Sequence, residues 1–384
     1  MPDTKTKFAQ LDEIRSSQGT AAALDFLANE FREEARYFEM FEILKMQIRH
    51  RMNLPLTFDE TAEALTEAQQ RELEDGLFEA CRTVGTLLMQ AGQVGEGWTF
   101  LRPVGDKQLA RELVEAIEVT DENVDAIVHV ALSEGVAPAY GFQLVLERFG
   151  TCNSITTYDA EISRQPKEEQ QKAAALLVKH LHGELLENVR ADIERREEAA
   201  PKETTLRELL EHRPQLLEAN AYHIDTTHLA SVVRFARVLS EPDQLATAVD
   251  LTEYGLRLGK QYHYEGDEPF GDLYQASKLY LNALRGVAVD EAIAYFGDKA
   301  RTQDIQYYGP VSIETYIDLL TRVGRLQQAI TESIELLPDG PRVGIAKSLF
   351  DLCKRADDFD QLRALALQRE DLLGYAMGRL HATD

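Results

Sequence analysis

Val84-Gly85-Thr86-Leu87-Leu88-Met89-Gln90-Ala91-Gly92 runs straight into Gln93-Val94-Gly95-Glu96-Gly97-Trp98-Thr99-Phe100-Leu101. An apolar helix ending on glycine and a second apolar-periodic helix starting almost at once leave little chain in which to reverse direction. Glycine makes such a turn cheaply, because it enters the left-handed region without a β-carbon clash. The same construction returns much later, where Tyr316-Ile317-Asp318-Leu319-Leu320-Thr321-Arg322-Val323-Gly324 leads into Arg325-Leu326-Gln327-Gln328-Ala329-Ile330. Positive φ is therefore expected at Gly92 and Gly324, between antiparallel helices. Such pairs cannot bury their apolar faces alone and must stack. The pattern predicts an all-α fold, a right-handed α-solenoid of stacked antiparallel helix pairs that is irregular in the middle.

Working outward, nearly every segment has the helical period, and no alternating strand of useful length is present. Helices are expected near 7–16, 19–33 and 34–51, then a break at Leu54-Pro55-Leu56-Thr57-Phe58-Asp59 and a polar helix from Glu60. Pro103-Val104-Gly105-Asp106 reads as a turn, and Gly135 and Gly150 as helix ends. Pro166 suits the first turn of a long helix reaching about Glu198. Its Ala173, Leu177, Leu181, Leu185 and Val189 recur every four residues and mark a packed stripe. Ala199-Ala200-Pro201-Lys202-Glu203-Thr204 is the best linker candidate. Further helices are expected near 205–218, 226–239, 242–258, 272–285 and 288–299, with a final pair over 343–380. These readings divide the chain into an N-terminal repeat region (1–118), a central region with the long helix (119–200) and a C-terminal repeat region (201–384).

The two glycine-turn units resemble the tetratricopeptide-type helical hairpin over about a third of the chain. Gly85 falls at that family's small first-helix position, Gly97 and Ala329 at its small second-helix position, and Leu88 and Leu320 at its large first-helix position. Pro341 falls where the closing proline belongs. A last pair carrying Phe350, Cys353 and Asp357 follows at a near-family interval. Cys81 and Ile313 stand where the family has aromatic signature residues, and no regular period spans 120–300. The resemblance implies a divergent helical repeat that binds proteins or peptides.

Charge narrows the partners. Acidic residues outnumber basic ones 66 to 41 in 384 residues, giving a formal charge of −25. That balance argues against nucleic acid or an anionic membrane, both of which call for a lysine and arginine footprint. Cys81, Cys152 and Cys353 are far apart and read as reduced thiols of a cytoplasmic protein. Met1-Pro2-Asp3 leads into an amphipathic segment rather than a signal sequence.

Chemistry-bearing residues gather in the middle. In Tyr222-His223-Ile224-Asp225-Thr226-Thr227-His228-Leu229, Asp225 reads first as a helix N-cap. His223, Asp225 and His228 are also metal-ligand types, with His129 and His180 as further candidates for a divalent transition metal. His180 shares a helix face with Glu184, whereas His180 and His182 point apart. Gln261-Tyr262-His263-Tyr264-Glu265-Gly266-Asp267-Glu268-Pro269-Phe270-Gly271-Asp272-Leu273-Tyr274 cannot be a continuous helix. Tyr262, His263, Tyr264, Glu265, Asp267 and Tyr274 are its ligand-binding candidates, and a plug of aromatics between two helices is the competing reading. No P-loop, dinucleotide fingerprint, nucleophile elbow or H-E-x-x-H motif occurs. Two functions follow as expectations: a cytoplasmic helical-repeat protein binding a protein or peptide, with a preference for basic ligands, or a metal-dependent enzyme or small-molecule binder using the central cluster.

Overall fold

The computed structural model describes residues 4–57, 65–336 and 342–381. Among them the chain is all-helical, with one isolated antiparallel bridge between Glu265 and Asp272 and no strand. No described helix is long and apolar enough to cross a membrane. The chain forms two compact units. One comprises Met1–Gly150 with Thr157–Gln165, the other Thr151–Thr156 with Pro166–Asp384. Position 118 lies inside the first and position 200 inside the second. Phe58, Asp59, the Glu60 start of the polar helix and Pro341 lie outside the described residues.

In the first unit the Glu67–Gln90 helix opens with a reciprocal Thr66–Gln69 capping box and closes at Gly92. Gly92 has φ of 78°, its N–H bonds to the Met89 carbonyl (3.0 Å), and the Gln93 N–H reaches back to Leu88 (2.9 Å). This is the Schellman closure, which satisfies carbonyls that a helix end leaves open. The Val94–Leu101 helix then packs back so closely that backbones nearly touch. A β-carbon on Gly97 would stand 2.9 Å from the Met89 nitrogen and 3.1 Å from the Gly85 carbonyl oxygen. Small residues at 85 and 97 permit that approach. Beneath lies a core of Met89, Val94, Leu101, Ala110, Val114, Ile127 and Val130. The helix expected to run on to Gly135 is α only over Val124–Val128. It widens into a π-helical turn over His129–Ser133 before Gly135 turns at φ 70°. Gly150, read as a helix end, is a kink (φ 78°, ψ −179°) between two helical stretches spanning Pro138–Ala160.

The second unit is organised along the Lys167–Glu197 helix, which Pro166 precedes. Its four-residue stripe, continued by Ile193, is fully buried. The segment read as a linker is pinned instead: Arg190 donates to the carbonyls of Glu203 (2.5 Å) and Pro201 (3.3 Å), and Pro201 is buried. Further on, the Val311–Arg322 helix ends at Gly324, φ 79°, with Arg325 N–H bonded to the Leu320 carbonyl at 2.8 Å. The two glycine turns are thus the same closure. One apolar cluster takes in Ala292 and Phe296, Tyr316 and Leu320, Ala329 and Ile330, then Cys353, Phe359 and Leu362.

Candidate functional site

The central histidine cluster begins at the long helix. Asp192 lies beside the buried stripe, three residues after Val189, and is itself buried. Its carboxylate can only accept, so His223 Nε2 donates to Asp192 Oδ2 (3.1 Å). His223 Nδ1 pairs with the Tyr254 hydroxyl (3.2 Å), whose oxygen accepts from the His223 backbone N–H (2.7 Å). Asn188 Nδ2 donates to the His223 carbonyl at 2.9 Å. Burial works to raise the Asp192 carboxyl. The hydrogen bond from His223 and the Arg196 guanidinium (2.7 Å) outweigh it and hold the group below its ordinary value. Burial pushes the Tyr254 hydroxyl well above the usual phenol range, so it serves as a neutral donor and acceptor. The arrangement is a tie holding three segments together.

The other metal candidates have separate attachments. Asp225 is the N-cap expected of it: Oδ1 accepts from Thr227 N–H (2.8 Å) and His228 N–H (3.1 Å). His228 is the third residue of the helix Thr226–Phe235. His180 Nε2 lies 3.7 Å from Glu184, and His129 in the first unit lies 3.9 Å from Glu134. Among the described residues no group of three or more His, Cys, Asp or Glu side chains is placed to hold a metal ion.

The loop between the helices Pro242–Arg257 and Leu273–Leu284 splits its residues between two roles. Tyr274 is buried against Gly255, where a β-carbon would stand 2.5 Å from the ring, and its hydroxyl has no hydrogen-bond partner. The Tyr264 hydroxyl pairs with that of Thr226 at 2.8 Å. His263 Nε2 donates to the Leu258 carbonyl (3.1 Å), and its ring stands edge-on to Tyr274. Gly266 N–H bonds to the Gly271 carbonyl (3.2 Å), closing the loop, and buried Phe270 fills it. The Arg237 guanidinium lies 3.5 Å above the Phe270 ring and bonds to Ser277 Oγ; burial, with help from Arg234, lowers it to about 9. Tyr262 remains at the surface, edge-on to exposed Tyr222, and Glu265 and Asp267 face solvent.

Two open clefts lie in this unit. One, of about 400 Å³, is lined by Leu210, Arg213, Pro214, Leu217, Glu218 and Arg257. Its Arg213 is committed to Glu197 (2.6 Å) and Glu203 (3.0 Å), and Glu203 is held down to about 2 by hydrogen bonds from His212 and Arg213. The other, of about 590 Å³, lies between the turn at 286–291 and Val323-Gly324-Arg325. Asp290 and Glu291, in the first turn of the Val289–Thr302 helix, give it an acidic wall, and exposed Asp290 meets Arg325 at 3.2 Å.

Asp192, Tyr254 and the acidic cleft were not among the candidates read from sequence. A charged residue three positions after Val189, on the side of the core-facing stripe, was the available signal for Asp192. For the cleft it was Gly286 placed just ahead of an acidic first turn. No family model, curated protein or solved structure matches the chain.

Proposed function

We propose that the chain is a divergent helical-repeat protein, of the tetratricopeptide-like kind, that binds a basic segment of another protein or peptide at the cleft between the Gly286 and Gly324 turns. The observation that carries the reading is that cleft's acidic wall of Asp290 and Glu291 beside two helix turns. Packing supports it. From the helix Leu273–Leu284 to the helix Leu372–Leu380 most helices pack on the next, and several on the next but one. That near-neighbour pattern is how stacked antiparallel pairs bury their faces. Asp290 is 90% exposed, so its bond to Arg325 costs little to exchange for a ligand lysine or arginine. Attraction of this exposed kind steers association and weakens with salt.

The test is fluorescence anisotropy of the full chain with labelled lysine- and arginine-rich peptides. D290N/E291Q should weaken binding at low salt several-fold more than D12N/E13Q, which removes equal charge from the exposed face of the helix Thr4–Gln18. Equal weakening by both would reduce the effect to net charge and sink the proposal.

A further inference from the structure

The helix Leu372–Leu380 carries its leucines on the outside. Leu372, Leu373 and Leu380 are 80%, 64% and 81% exposed. At 100° per residue, Leu372, Ala376, Leu380 and Leu373 fall within one arc of about 100°. Gly374 and Gly378 lie on the opposite side. There a β-carbon would meet Ala366 from the first glycine and Arg363 and Leu362 from the second, so that side faces the neighbouring helix Asp360–Gln368. The leucine arc is therefore a second apolar face, turned away from the packed one.

Leu372 and Leu380 are placed symmetrically about Ala376 on this arc, whereas the mirror position of Leu373 is Arg379. Leu372 precedes it by four residues and Leu380 follows by four. A twofold contact must be self-complementary, with each residue meeting the mirror position in the other copy. An antiparallel pair of these helices sets Leu372 of one copy against Leu380 of the other. Ala376 meets itself, and its small side chain lets the helices approach.

The charges follow the same symmetry. Glu370 and Asp371 stand at the N-terminal end and Arg379 at the C-terminal end. Antiparallel pairing brings the acidic end of each copy to the basic end of the other, and it opposes the two helix dipoles favourably. The surroundings allow it as well. The chain has a formal charge of −25, yet residues 342–384 hold seven Lys and Arg against seven Asp and Glu. Two copies meet here without the repulsion that acidic faces impose.

We infer that this face binds a second copy of the chain through a twofold, antiparallel pairing of the helix Leu372–Leu380 centred on Ala376. The contact is small, so the dimer is weak and concentration-dependent. Sedimentation equilibrium of the full chain from about 1 to about 200 µM reads it directly. Wild type should shift toward dimer across that range. L372E/L380E should stay monomeric, with an unchanged helical circular dichroism spectrum. A monomer at every concentration, or a dimer undiminished in L372E/L380E, would overturn the inference.

Should that variant lose its fold, Ala376→Cys in a Cys152→Ser background decides. Mild oxidation should convert it to a disulfide-linked dimer, since the two introduced thiols meet on the axis, while Cys152→Ser alone stays uncrosslinked. Failure of A376C/C152S to crosslink above that background would also overturn it.

Discussion

The Gly92 hairpin and the segment 220–274, which contains the helices Thr226–Phe235 and Pro242–Arg257, hold packed helices together by opposite means. At Gly92 the backbone does the work. A left-handed glycine and two returning hydrogen bonds close the turn, and Gly85 and Gly97 let the helices touch. Within 220–274, side chains do it. His223 is strung between Asp192 and Tyr254, Tyr264 bonds to Thr226, and Phe270 and Tyr274 fill the space beneath. A turn built from backbone needs only glycine at one position. A region held by buried polar ties needs every partner, because an unpaired buried group costs more than a formed bond gains. The difference predicts where each region tolerates change.

The largest effect should come from Gly97→Val. Gly97 has ordinary helical backbone angles, so the penalty is steric, and the obstacle is the Met89 backbone, which cannot swing aside. Destabilisation of about 3 kcal/mol is expected in urea unfolding. A loss below about 1 kcal/mol would mean that the two helices separate freely. Next comes Tyr254→Phe, which removes the acceptor of the part-buried His223 N–H and the hydroxyl paired with Nδ1. It should cost about 2 kcal/mol, and a neutral result would show that the tie holds nothing.

Gly92→Ala and Gly324→Ala form the third test. A β-carbon at either position meets nothing within 4 Å, so the cost is purely conformational, about 1 kcal/mol at each. Thermal stability should fall in both, while peptide affinity should be unchanged in Gly92→Ala, which lies outside the proposed cleft. The smallest effect is expected for Tyr274→Phe. That hydroxyl is buried without a partner, so its removal should leave stability within about 0.5 kcal/mol of wild type or slightly above. A loss matching that of Tyr254→Phe would erase the distinction between tie and filler.

The same contrast explains what could be read from sequence. Both glycine turns and the Asp225 cap were legible because each is a local device, with geometry set by residues a few positions apart. The long helix from Pro166 was legible from its four-residue stripe. The π-turn at His129 was not, since nothing in residues 126–131 departs from the α pattern. His223 was legible as an unusual residue but not as a tie. Its partners Asp192 and Tyr254 each lie 31 positions away, and only packing brings them together. In the 262–274 loop, composition pointed to aromatics and acids. It could not separate buried Phe270 and Tyr274 from surface Tyr262, because helix contacts decide which ring faces inward.

The most direct measurement is hydrogen exchange of the full chain with and without saturating basic peptide. The amides of residues 286–291 and 323–325 should exchange more slowly when peptide is bound. The segment 220–274, held by its internal ties, should be unchanged. Protection confined to that segment, or none at the two turns under saturation, would contradict binding at the acidic cleft.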